Sequence, residues 1–199
     1  MGCRNFTAGV VLAATIVAAA PLSVFAQERN DSAIQAWHPV LAASIERLAA
    51  ESPSFREALR AVTATGRRAV LITPDKFDGA FDADTLAQAE PVGNEQSRVD
   101  YVLVVVNLEL LQKLSGLPMT AVDFEDDVDR ILAHEVYGHA VPYLLAGALT
   151  AKCADPAIGQ SASASCAVQR ENTIRREMRL GQRFEYGRDS LAIARRYWQ

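Results

Sequence analysis

Apolar positions recur along this chain at two spacings, and the change from one to the other marks its elements. Between Asp31 and Ala50, Ile34, Trp37, Leu41, Ile45 and Leu48 follow one another at three and four residues, which predicts an amphipathic helix with Pro39 as a kink or early break. Ser52 reads as the cap of a second helix with Pro53 at its first position; Phe55, Leu59 and Val62 form its buried stripe and Gly66 its stop. Arg68 to Thr73 has strand composition and ends at Pro74. Asp75 to Arg98 shows little periodicity and reads as a long loop or flap that could cover a cleft. Tyr101 to Asn107 is apolar on both faces, as a covered strand is, and Leu108 to Leu114 continues as a short helix before Gly116 and Pro118.

The second half reads as helical. Val128, Ile131, Leu132 and Val136 supply the apolar face of a helix that Gly147 can end. The acidic residues Asp123, Glu125, Asp126, Asp127 and Asp129 fit its first turns, where carboxylates complement the positive end of the helix dipole. A small-residue polar segment from Asp155 to Ser165 is not expected to be helical throughout. Cys166 to Leu180 predicts another helix with Gly181 as its stop, and Ser190 to Trp198 a short final one. Together these elements predict an α+β fold, a small mixed sheet packed against helices.

The first 26 residues stand apart from that fold. Arg4 precedes an apolar, alanine-rich run from Ala8 to Ala20, and Val24-Phe25-Ala26 precedes Gln27, the pattern of a secretory signal peptide cut after Ala26. The run is short for a membrane span, so the expected product is a domain from 27 to 199, periplasmic or secreted, without stable membrane association after cleavage. Export leaves Cys153 and Cys166 as the remaining cysteines, and an even count in an oxidising compartment favours a disulfide. The formal charge of −4, without a basic stripe or a glycine-rich phosphate loop, gives no case for nucleic acid.

The chemistry concentrates in His134-Glu135-Val136-Tyr137-Gly138-His139, which holds two of the three histidines in the chain. The zinc-hydrolase pattern H-E-x-x-H puts two histidines on one helical face, and its glutamate acts on water at the metal. Here the step is one residue longer. On a regular helix it turns the rings about 140° apart, whereas a four-residue step leaves about 40°. A one-residue π-bulge would realign them. Gly138 is the natural place for it, because Pro142 has no N–H to give the Gly138 carbonyl.

This hexapeptide resembles the H-E-L-L-G-H motif of the dipeptidyl peptidase III family, zinc exopeptidases with the wider spacing. More broadly, the chain is similar to zincin-like metallopeptidase domains of bacterial effectors and toxins. These join a Leu-x-His-Glu helix to a later Glu-Asn-x-x-Arg segment and an Arg-x-x-Tyr turn, matched here by Arg170-Glu171-Asn172-Thr173-Ile174-Arg175 and Arg183-Phe184-Glu185-Tyr186. The resemblance implies a Zn2+ ion held by His134, His139 and Glu171, with Asp155 as the alternative third ligand and Glu177 behind both. It implies Glu135 as general base and Tyr186, Tyr137 or Arg175 as stabiliser of the oxyanion, acting on a peptide or protein substrate. The rivals are a metal-binding protein without catalysis, and an interaction module in which both histidines are core residues.

Overall fold

The structure, a computed structural model, describes residues 32–94, 98–153, 161 and 165–184. The expected signal peptide, Asp155, Tyr186 and the helix from Ser190 to Trp198 lie outside the described residues.

The described residues form a mixed α+β fold around a four-stranded sheet of order β1-β2-β4-β3. Strand β1 (Ile34–Ala36) and strand β2 (Arg68–Ile72) are parallel, and β2 is parallel to β4 (Val99–Val106). Strand β3 (Ala87–Gly93) lies antiparallel to β4 at one edge. Parallel neighbours need a crossover. Helices α1 (Pro39–Glu51) and α2 (Pro53–Thr65) supply the one between β1 and β2. Ser52 serves both helices, ending α1 and capping α2 by accepting from the Phe55 N–H at 3.1 Å. Gly66, at φ 71°, closes α2 in the left-handed conformation.

Two expectations are corrected. The predicted helix from Asp31 begins at Pro39, and Ile34 to Ala36 is a strand instead. The three-and-four spacing there is overridden by pairing with β2, where Ala69 N–H donates to Ala33 O at 2.9 Å and Trp37 N–H to Leu71 O at 3.0 Å. Pro39 opens the helix rather than kinking it, and His38 caps it by accepting from the Val40 N–H at 3.3 Å. The second correction is β3, inside the segment expected to be loop. Its polar, exposed Gln88 and Glu90 hide the strand pattern, and Pro91 is tolerated because an edge strand has one row of amides facing away from its partner.

After β4 come α3 (Leu108–Ser115), with Asn107 as cap, and α4 (Val122–Leu132). A π-helical segment (Ala133–Ala140) continues α4 without a break and runs into α5 (Val141–Ala146), which Gly147 ends at φ 65°. Helix α6 (Cys166–Glu177) packs along the π segment and stops before Gly181, with Arg179 at positive φ. The core lies between the sheet and this long composite helix: Val102, Val104 and Val106 of β4 join Val128, Leu132, Val136, Ala140 and Leu144. Two acids of the run expected in the first turns, Asp127 and Asp129, lie further along α4 and are buried. Asp129 accepts from Ser44 Oγ and from Arg47 of α1, and Asp127 pairs with Arg130 at 2.8 Å. Cys153 and Cys166 form a disulfide with Cα atoms 5.6 Å apart, at the N-terminus of α6. No helix among the described residues is long and apolar enough to cross a membrane.

Candidate metal centre

The irregular turn expected at Gly138 is present and extends over eight residues. Val141 N–H donates to Val136 O, a five-residue step, so residues five apart stack on one face. His134 and His139 are such a pair. Their rings meet edge to face, with centroids 4.8 Å apart and 86° between planes. Their Nε2 atoms are 3.2 Å apart. Two nitrogens bound tetrahedrally to one zinc ion at its usual bond length lie about 3.3 Å apart, so the pair fits two cis positions of such a site. The same distance also fits a hydrogen bond from one ring to the other. Among the described residues, no third His, Cys, Asp or Glu completes a three-ligand group.

Glu171 lies on the opposite edge of His134. Its Oε2 is 2.8 Å from His134 Nδ1 and 3.1 Å from Arg183 Nη1, and its Oε1 is 2.5 Å from Arg175 Nη2. The carboxylate therefore stands behind the ring, away from the Nε2 atoms that face each other. Burial alone would raise its pKa. The hydrogen bond from His134 and the charges of Arg175, His134 and Arg183 outweigh that and hold it at about 2. Burial also lowers Arg175 to about 10, against the pull of Glu171. A carboxylate so placed fixes the tautomer of a neutral His134: Nδ1 carries the proton and Nε2 keeps its lone pair.

Glu135 is buried beside His134 on the wall of a cavity of about 240 Å³. Glu171, Arg175 and Arg183 share that wall, and Thr85, Leu86 and Ala87, leading into β3, form the other side. Arg175 thus lines the same cavity as Glu135, with its guanidinium on Glu171. Tyr137 does not line this cavity. Its ring packs 6.4 Å from Phe55 and lies under the Arg170 guanidinium. Glu177 is also elsewhere, bonded to Ser52 and Ser54 at the start of α2.

Sequence reasoning gave no role to Arg183. Asn172 holds it by its backbone: Asn172 Oδ1 accepts from Arg183 N–H and Asn172 Nδ2 donates to Arg183 O, both at 2.7 Å. The pairing explains why an asparagine follows Glu171, since only a side-chain amide makes both bonds. Comparison with protein-family models, characterised proteins and solved structures found no match.

Proposed function

We propose that this chain is an exported zinc-dependent peptidase of zincin type. The observation that carries this reading is the approach of His134 Nε2 and His139 Nε2 to 3.2 Å on one face of a π-helix, with Glu135 buried next to His134. His134 and His139 would hold the ion, which when bound supplies Lewis acidity to a scissile carbonyl and to the attacking water. Glu135 accepts the proton of that water on its carboxylate. Glu171 acts from behind, orienting His134, rather than as the ligand the resemblance implied. Asp155 then stands first among the sequence candidates for a third ligand. Arg175 is engaged with Glu171 behind His134, so Tyr186 is the sequence candidate that remains for stabilising the oxyanion.

The edge strand β3 favours a peptide as substrate. It meets the cavity at Ala87 and is paired on one side by β4, so an extended chain can add to its other side. The Cys153–Cys166 disulfide is in keeping with an oxidising, periplasmic or extracellular location.

The test is Glu135→Gln in the mature protein, assayed for zinc content and for cleavage of a quenched-fluorescent peptide library. Zinc should stay at wild-type stoichiometry while cleavage falls by at least about 100-fold. A metal-binding protein without catalysis shows no cleavage in either form. A histidine pair that is merely hydrogen-bonded shows no stoichiometric zinc in the wild type.

A further inference from the structure

Passing from four-residue to five-residue hydrogen bonding leaves a helix with a carbonyl that has no donor of its own. Here it belongs to Tyr137. Its α-helical donor, the Val141 N–H, bonds Val136 O instead. Its π-helical donor would be residue 142, a proline without an N–H. The carbonyl is met from outside the helix: Arg170 Nε donates to Tyr137 O at 2.8 Å, and the same guanidinium lies 4.4 Å from the Tyr137 ring centroid. Arg170 comes within reach because α6 lies close against Gly138, where a Cβ would stand 3.1 Å from Ala167 O.

We propose that Arg170 is a positioning residue that holds the helix in its π register. By occupying the Tyr137 carbonyl it keeps the Val141 N–H from returning to it, and Pro142 blocks the next α-type bond, to Gly138 O. Arginine and proline together thus exclude the tighter helix. In that tighter helix the His134 and His139 rings would point about 140° apart and could not share an ion. A charged donor suits the task, since hydrogen bonds from ionised groups are stronger than the neutral amide bond they displace here. The inference rests on the proposed function only for its zinc readout; the register itself is a property of the metal-free chain.

The experiment compares Arg170→Met, Arg170→Lys, Pro142→Ala and the double variant Arg170→Met/Pro142→Ala in the metal-free mature protein. The nuclear Overhauser contact between the ring protons of His134 and His139 reads the register, and thermal unfolding checks the fold. The third histidine, His38, caps α1, so the ring signals separate readily. Titration with Zn2+ follows. The double variant, in which residue 142 regains its N–H, should fold, lose the ring contact and bind Zn2+ at least about 10-fold more weakly. Arg170→Lys, which keeps a charged donor, should retain more of the contact than Arg170→Met. The proposal is overturned if the contact persists in the folded double variant, or if Pro142→Ala alone abolishes it to the same extent. Should the wild type take up no Zn2+ while the ring contact responds as expected, the zinc reading falls and the role of Arg170 stands.

Discussion

Replacing Glu171 by glutamine removes one charge from the centre of the site and leaves its shape. The carboxylate is fully buried and contacts three donors, on His134, Arg175 and Arg183. Its pKa of about 2, against 4.5 for a free side chain, corresponds to about 3 kcal/mol of folding stability at neutral pH. Breaking a buried ion pair by removing one partner costs about 3–5 kcal/mol, an independent estimate of similar size. Arg175 remains charged at pH 7, because even burial lowers it only to about 10, so the variant must keep an uncompensated cation in the core.

The sign of the pH dependence follows from the depressed folded-state pKa. The stabilisation is present above about pH 4.5, the unfolded value, and is lost as the pH falls towards about 2. Urea unfolding at pH 7, 4.5 and 3 should place Glu171→Gln about 3 kcal/mol below wild type at pH 7, with the two approaching each other as acid is added. Zinc affinity should fall by about 10- to 100-fold, as for a lost orienting carboxylate, rather than vanish as for a lost ligand. Equal stability at pH 7, or stability curves that stay parallel down to pH 3, would refute the assignment of this charge as a net stabiliser.

Gly138→Ala sets two effects against each other. Alanine favours a helix by about 1 kcal/mol over glycine, but its Cβ would press on the Ala167 carbonyl at 3.1 Å, and overpacking costs about 1–3 kcal/mol. Net destabilisation of about 1 kcal/mol with weaker zinc binding is expected; a more stable variant with unchanged zinc affinity would contradict the close packing of α6. Removing the disulfide by Cys153→Ala/Cys166→Ala should lower stability by about 3 kcal/mol in the chain-entropy model. Urea unfolding measures it, and wild type in reductant should match the double variant.

The local irregularities of this protein were legible from its sequence, and the long-range pairings were not. One surplus residue between the histidines, a glycine and a proline four residues after it are enough to predict the π turn, because helical hydrogen bonding is a nearest-turn matter. The cap at Ser52 and the stops at Gly66 and Gly147 are local in the same sense. Strand β1 is three residues long and owes its state to β2, so the helical spacing around it misled. Strand β3 carries an edge pattern too polar to stand out. The place of Glu171 depends on how α6 lies against the π segment; the sequence brings that carboxylate near His134 but does not say which ring nitrogen it meets. Asp127 and Asp129 read as first-turn acids in an acidic run, and only the position of α1 reveals Arg47 and Ser44 waiting for the second of them.

Helix α6 is fastened at both ends: at its start by the Cys153 link, and at its finish by Glu177 gripping the serines that open α2. Its row of Arg170, Glu171 and Arg175 is therefore set against the histidine helix like a rule clamped on a bench. The face of α6 that meets the π segment thus takes its alignment from contacts at the two ends of the helix, one covalent and one hydrogen-bonded.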